Sequence, residues 1–411
     1  MKIFLLLVGA ILPNIVWGQT LGDYQRMAVA ANPGLQAKYL EFEAALKKIP
    51  QAATLPDPTL AFGYMILHGE TRVGPQRARL SLMQMFPWFG TLAAQKDAAA
   101  LMAEAKYQSF LDARNELFYK VSAAYFPLYE LNQMIRLQKE NMKILTGFKT
   151  LAISRFQNGK GTMADVLRAD LMINDLRTDI AVLEIEKKPL EAAFNQLLNR
   201  ATDEPVVISD SMPLVDIVAE YRFDSLLIAN PKLAALQSQL EAAKAQEKVA
   251  VKQGLPKVGL GLDYVVVSKR TDMEVPDNGK DMLMPMLSVS LPIYRKKYTA
   301  SRDEARLMQQ AYAEMKQEVS NSLVSAYEMA WFELQKSRMR AELYKQQITQ
   351  AQQTIDLLLA AYGNSGKEFE EVLRMQQQLL KYQMEEATAV KDFFVTLAQL
   401  DYLTAKAYGN E

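Results

Sequence analysis

The chain has 411 residues, with 47 basic and 47 acidic side chains, one histidine and no cysteine. This balanced charge lacks the one-sided basic surface of a nucleic-acid binder, so we expect no nucleic-acid partner. The absence of cysteine excludes disulfides and thiolate catalysis. A single histidine argues against a histidine-based metal or acid–base site within one chain.

Residues 1–18 have the pattern of a secretory signal peptide. Lys2 supplies the charged start, residues 3–12 are apolar, and Gly18 precedes the expected cleavage point. The apolar run is shorter than the roughly 20 residues of a membrane-spanning helix, and a buried N-terminal helix is the alternative interpretation. Because no cysteine follows the run, we expect an exported protein without an N-terminal lipid.

The rest of the sequence is an internal repeat with a period of roughly 200 residues. Asn32-Pro33 recurs as Asn230-Pro231, and Val166-Leu167-Arg168 recurs as Val372-Leu373-Arg374. We therefore predict a first structural repeat over 19–200, a linker over 201–217 and a second repeat over 218–411.

Each repeat has the same predicted order of elements: a helix, a β-hairpin and a long helical hairpin. The good helix formers and the scarcity of glycine and proline predict the unusual length of the later helices. In the first repeat we predict a helix over 21–48 that breaks near Asn32-Pro33 and is ended by Pro50, Pro56 and Pro58. A β-hairpin over 57–86 follows, and then a helical hairpin over 91–199 with helices at 91–155 and 162–199. In the second we predict a helix over 223–252, a β-hairpin over 256–291, and a helical hairpin over 298–408 with helices at 298–362 and 368–408.

The predicted strands carry an apolar face and a small or polar face. Leu60, Phe62 and Tyr64 alternate with Ala61 and Gly63. Four such strands with bare edges would be unstable in water, whereas lipid on one side and water on the other explain the alternation. The pattern favours a transmembrane β-barrel closed by several copies, with a small soluble sandwich on a helical stalk as the alternative. The side chains expected to face the lumen are Arg77, Arg79 and Asp263.

Two motifs add to this organisation. Residues 85–90 read Met-Phe-Pro-Trp-Phe-Gly at the predicted strand-to-helix junction, and residues 155–167 join two long helices. Together with the repeat, they resemble the TolC-type outer membrane factors of the outer membrane efflux protein family, over about residues 20–405. The resemblance implies a mainly α fold with a small β part: internally duplicated helical hairpins form a coiled-coil barrel, and each chain adds four strands to a 12-stranded transmembrane β-barrel of a homotrimer.

The same resemblance implies a location and partners. The protein is expected in the outer membrane of a Gram-negative bacterium, in contact with outer membrane lipid, with a helical extension into the periplasm. Its expected protein partners are a periplasmic adaptor (a membrane fusion protein) and an inner-membrane pump such as an RND transporter.

The turns of the two helical hairpins are, by resemblance, the periplasmic tips that contact the adaptor. Locally, Gly159 or Gly161 can supply a positive φ, and Thr162 can cap the next helix with Asp165 three residues on. The second turn departs from the first, because Ala361 and Glu368 stand where Arg155 and Thr162 stood, so unequal contacts are expected. The tip residues assigned by resemblance are Arg155, Gly159, Thr162, Asp165, Gly363, Asn364 and Gly366.

Just after the second tip, the resemblance places a constriction. Glu371 matches the position of an inward acidic side chain in the family, and Arg374 stands where some members have a second acid. Three copies of Glu371 would form an acidic ring of the kind that selects cations. A Glu371–Arg374 pair at a spacing of three would neutralise it, and a solvated glutamate at a helix start is the alternative.

These features predict a passive export channel without catalytic residues, metal ligands or cofactors, and not an enzyme. The junction motif followed by Thr91-Leu92 resembles the branch that serves heavy-metal cation exporters, while efflux of drugs or amphiphiles stays open. Most of the 21 methionines lie at helical spacing, which is typical of core filling rather than of a soft-metal relay. The alternative function is a soluble periplasmic coiled-coil adaptor or structural protein.

Overall fold

The computed structural model describes residues 20–67, 69–215, 229–365 and 369–405, with the side chains of Asn364 and Ser365 excepted. The helices are α1 (Leu21–Ala31), α2 (Pro33–Ala53), α3 (Thr91–Gln157), α4 (Met163–Leu197), α5 (Pro231–Gln253), α6 (Arg295–Ser365) and α7 (Phe369–Leu403). The strands are β1 (Thr59–Tyr64), β2 (Glu70–Thr71), β3 (Gly74–Phe86), β4 (Lys257–Val267) and β5 (Met282–Ser290).

Most predicted helix boundaries fall close to the observed ones, and the break at Asn32-Pro33 separates α1 from α2. The predicted end near residue 48 was wrong, because α2 continues through Pro50 to Ala53 and ends before Pro56. Pro50 lies in the last turn, where a missing N–H costs one hydrogen bond. The Pro50 carbonyl accepts from the Thr54 hydroxyl at 2.6 Å, which satisfies one free acceptor at the helix end.

The later helices differ from prediction at their ends. α6 begins at Arg295 rather than at residue 298, and it continues to Ser365 rather than ending at Tyr362. The predicted helix start at 223 and the chain end after 405 lie outside the described residues. Among the described helices, none combines the length and hydropathy needed to cross a membrane.

The described chain forms two compact units, each built from both halves of the sequence. The strand-bearing unit comprises 37–112 and 230–322, and the helical unit comprises the described residues of 1–36, 113–229 and 323–411. α3 and α6 contribute their first parts to the strand-bearing unit and their remainders to the helical unit.

The sheet of the strand-bearing unit is antiparallel, in the order β1-β3-β4-β5. The register places apolar residues side by side, with Phe62 opposite Leu80 and Leu80 opposite Tyr264. This face is open, since Phe62 is 72% exposed and Leu287 on β5 is 71% exposed. Within the described chain, the outer edges of β1 and β5 have no strand partner.

One strand was not predicted. The polar stretch 68–76 within the predicted hairpin indicates a connecting loop, but β2 pairs Glu70 with Pro75 and Thr71 with Gly74. Gly74 has a φ of +128°, and its carbonyl accepts from the Thr71 hydroxyl at 2.6 Å. The loop therefore closes on itself as a two-residue ladder, which is too short to show a period of two in the sequence.

The helical unit is centred on an aromatic cluster that also fixes the segment after α4. Tyr24 meets Phe194 edge-on at 5.0 Å between ring centroids, and its hydroxyl accepts from the Val207 amide at 2.8 Å. Asn195 is fully buried and donates to the carbonyl of Glu204 at 2.9 Å. The predicted linker is thus held by specific hydrogen bonds through its first residues, although its described part, 201–215, forms no helix or strand.

Candidate functional site

The first helical hairpin closes through a built turn rather than a loose loop. Gly159 has a φ of +68°, so it supplies the left-handed residue that the turn needs, whereas Gly161 does not adopt a positive φ. Thr162 and Asp165 form a capping box, with the Asp165 amide donating to the Thr162 hydroxyl at 3.3 Å and the Thr162 amide donating to the Asp165 carboxylate at 3.2 Å. These bonds satisfy two free donors at the start of α4 and place a negative charge at its positive end.

Arg155 joins the first hairpin end to the second. Its guanidinium carbon lies 4.5 Å from the centroid of the Tyr362 ring, and its Nη1 donates to the Gly363 carbonyl at 3.0 Å. Tyr362 is fully buried, and its ring lies 4.9 Å from that of Phe369, the first residue of α7, with the two planes tilted by 34°. The two hairpin ends therefore form one packed structure, held by a cation–π contact and a charge-assisted hydrogen bond.

An apolar cluster lies behind this contact and draws on all four long helices. Ala169 and Val372 are fully buried in it. Burial raises the pKa of Tyr362, the nearby Asp165 charge raises it further, and Arg155 opposes both effects. The phenol is therefore neutral throughout the physiological pH range. The other buried members of the cluster are Leu145, Ala152, Val166, Ile173, Leu176, Tyr362, Phe369 and Leu373.

Two ion pairs flank the start of α7. Arg168 Nη1 lies 2.7 Å from Glu370 Oε2, which links α4 to α7. Arg374 forms an ion pair with Glu371 within α7, one turn apart. The side chains of Arg374 and Glu371 are 72% and 43% exposed, so solvent screens this contact. The Glu371–Arg374 pair expected at a spacing of three is therefore present in the single chain.

The second turn is more helical than predicted. Gly363 and Asn364 lie inside α6, and only the Gly363 carbonyl has a described contact, with Arg155. Gly366, the third residue assigned to this tip, lies outside the described residues. The first hairpin thus supplies the Arg155 side chain, and the second supplies the Tyr362 ring and the Gly363 carbonyl.

The polar face of the sheet carries the three predicted lumen residues. Arg79 on β3 forms an ion pair with Asp263 on β4, whose side chain is fully buried while that of Arg79 is 42% exposed. Arg77 lies at a bulge in the pairing of β3 with β4, and its Nε donates to the Ser268 hydroxyl at 3.0 Å. The structure therefore brings Arg79 and Asp263 together and places Arg77 in a separate contact.

Aromatic and large apolar side chains surround the points where strands pass into helices. Phe89 is 85% exposed and Tyr294 is 81% exposed, one at each junction. Gly90, with a φ of +74°, turns the chain into α3, and the Thr91 hydroxyl donates to the Trp88 carbonyl at 2.6 Å. An apolar strand face flanked by exposed aromatic residues is the arrangement of a membrane-spanning sheet at the lipid–water boundary.

Comparison with known proteins decides the family. The model of the outer membrane efflux protein family matches residues 25–200 and 223–406. The chain belongs to this family. It is an outer membrane channel of the tripartite efflux type, and its location is the outer membrane of a Gram-negative bacterium.

Individual relatives and solved structures agree with the family. The outer membrane efflux protein BepC of Brucella suis is 22% identical over 345 residues, which cover 82% of this chain and 75% of BepC. The outer-membrane channel OprN superposes with a TM-score of 0.75 at 16% identity, over 94% of this chain and 90% of that one. VceC of Vibrio cholerae gives 0.74 at 17% identity, over 93% and 95%. The predicted fold, mainly α with a small antiparallel β part, is therefore confirmed.

Sequence reasoning missed two contacts at the hairpin ends, that of Arg155 with Tyr362 and that of Arg168 with Glu370. Arg168 and Glu370 lie on different hairpins, and no spacing within one helix predicts their contact. Tyr362 occupies, in the second repeat, the position of Phe156 in the Arg-aromatic motif. That correspondence could have identified it as a packing residue.

Removing Arg155 should loosen the contact between the hairpin ends. We expect Arg155→Ala to lower the free energy of local opening there by about 1–2 kcal/mol, because the cation–π contact and the bond to the Gly363 carbonyl are both lost. Amide hydrogen exchange over residues 160–170 measures this effect. Arg177→Ala is the matched control, since the described contact of Arg177 is to Asn174 within α4. Equal protection in the two variants would contradict the assigned role of Arg155.

Proposed function

We propose that three copies of this chain form one passive export duct, closed in the outer membrane as a 12-stranded β-barrel and continued into the periplasm by the helical hairpins. The observation that carries the proposal is the sheet, with its exposed apolar face, its charged opposite face and its unpaired β1 and β5 edges. Backbone groups at a strand edge have no hydrogen-bond partner in lipid, so the edges must pair with those of other copies.

The tandem repeat gives each chain two hairpin ends, so a trimer would present six. The tips would meet a periplasmic adaptor, which couples the duct to an inner-membrane pump of the RND type, and the pump would supply the energy. The exposed residues of the first turn, around Gly159 and Thr162, would be available to the adaptor, whereas Arg155 is engaged with the second hairpin. This division supports unequal contacts by the two tips.

The substrate class proposed here is heavy-metal cations. The support is the sequence of the strand-to-helix junction, Phe86-Pro87-Trp88-Phe89-Gly90 followed by Thr91-Leu92. A passive duct needs no catalytic group, and among the described residues no cluster of three or more His, Asp or Glu side chains could hold a metal ion. Transport would then depend on the lining of the duct and on its constriction.

The two faces of β1 allow a direct test of the membrane-spanning sheet. We expect Phe62→Arg to reduce insertion into the outer membrane, because a charge on the lipid face costs about 2–4 kcal/mol near the bilayer centre. Ala61→Arg, one residue away on the opposite face, is the matched control and should insert normally. The measurement is the amount of protein in the outer membrane fraction that requires detergent for extraction. Loss of insertion with Ala61→Arg and not with Phe62→Arg would reverse the assignment of the faces.

The constriction proposal places Glu371 in the duct, with Arg374 masking its charge. We expect Arg374→Ala to raise the preference for cations over anions several-fold, because three unpaired carboxylates would then line the opening. The measurement is the reversal potential of single channels in a planar bilayer under a salt gradient. The double variant Glu371→Ala/Arg374→Ala should not show this increase in cation preference. An unchanged reversal potential in Arg374→Ala would show that Glu371 lies away from the conducting path.

A further inference from the structure

All five methionines within the described strands lie on the polar face of the sheet. Met83 and Met85 alternate on β3 with the apolar-face residues Leu82 and Gln84, and Met83 stands opposite Gly261. Gly261 in turn stands opposite Met286 on β5. Met282 and Met284 precede Met286 at a spacing of two, so they lie on the same face.

The sulfurs of Met83 and Met85 converge above Gly259. A Cβ atom built on Gly259 would lie 2.5 Å from Met85 Sδ and 3.2 Å from Met83 Sδ, so the two sulfurs are no farther apart than the sum of these distances. The same Cβ would lie 2.2 Å from the Ser288 hydroxyl oxygen. The missing side chain of Gly259 thus leaves room for two sulfurs and one hydroxyl to gather at one point.

The Ser288 hydroxyl lies within reach of both sulfurs. Its oxygen is 3.6 Å from Met83 Sδ and 3.8 Å from Met85 Sδ, so its single proton can be donated to either one. Two sulfurs and one oxygen thus surround a common position beside the hydroxyl. A cation at that position would have both sulfurs within reach, and rotation of the hydroxyl would offer its oxygen in place of its proton.

The chemistry of these donors selects the ligand. Thioether sulfur is a soft, neutral donor that prefers soft ions such as Cu(I), whereas hard cations need carboxylate or carbonyl oxygen. The neighbouring Arg79 is paired with Asp263, and its Nη2 also donates to Met286 Sδ at 3.5 Å. The Arg79 charge is therefore balanced by a carboxylate, and the chain has no cysteine to compete for a soft metal.

We propose that Met83, Met85 and Ser288 form a binding site for a soft monovalent cation of the Cu(I) or Ag(I) class on the polar face of the strands. The inference rests on the proposed function, in which this face lines the duct, and it narrows the cargo from heavy-metal cations to soft ones. Binding is a ligand exchange in which the ion keeps its charge and neutral thioethers replace bound water. The site would be a point of transit for the cargo.

Silver ion is the probe for the direct test, with the full-length protein purified in detergent. Equilibrium dialysis followed by elemental analysis gives the bound Ag(I) per chain. We expect Met83→Leu/Met85→Leu to bind about one Ag(I) per chain fewer than the unmodified protein, because leucine keeps the volume and removes the sulfur donors. The matched control is Met329→Leu/Met339→Leu, which removes two methionines on α6 that are 63% and 70% exposed. The control should bind as much silver as the unmodified protein.

Two results would overturn the proposal: equal silver binding by Met83→Leu/Met85→Leu and the unmodified protein, or an equal loss in the control pair. Single-channel conductance in a planar bilayer separates this failure from failure of the channel itself. Normal conductance without the silver difference would leave the duct intact and remove the soft-cation site. Gly259→Ala is a second variant that keeps both sulfurs and blocks their convergence, and it should lower silver binding as the methionine variant does.

Discussion

The unpaired edges of a small sheet with an open apolar face are the constraint on which the rest of this structure depends. Phe62 and Leu287 are largely exposed on that face, while Asp263 is fully buried on the other. In lipid the apolar face is stable only if every strand edge is closed, because no water is present to bond the free backbone groups. The described strands of one chain leave two edges without a strand partner, which is the reason for proposing that the sheet pairs with those of other copies.

A second constraint is the packing of the two long helical hairpins against each other. Each half of the sequence supplies a hairpin, and the ends of the two hairpins are bound to each other by Arg155, Tyr362 and the apolar cluster behind them. Because this contact lies within one chain, the position of each pair of hairpin ends is determined by packing inside that chain. It leaves the exposed first turn available for a partner.

The parts of the fold that local rules determine could be predicted from the sequence. The break at Asn32-Pro33, the Thr162–Asp165 capping box and the Glu371–Arg374 pair depend on residues within four positions of each other, and each has the expected geometry. Pro50 was misjudged because its cost depends on its place in the last turn of α2, and that place is set by how far the helix continues.

Contacts between distant segments could not be predicted, because they depend on strand register and on hairpin packing. The Arg79–Asp263 pair requires the pairing of β3 with β4, and the convergence of Met83 and Met85 requires Gly259 to stand beside them. In the sequence the methionines look like core fillers, because their common face appears only when β3 and β5 are aligned through β4. Residues of the other hairpin contribute to the burial of Tyr362, and the sequence of α6 alone does not identify those neighbours.

The most direct test of this account is the mass of the intact oligomer after detergent extraction of the outer membrane. Native mass spectrometry distinguishes one, two and three copies of a chain of this size. The account predicts three, because three sets of four long strands close a 12-stranded barrel. A monomer that is released without detergent would contradict it, since the apolar strand face would then have no lipid to cover it and the edges no partner.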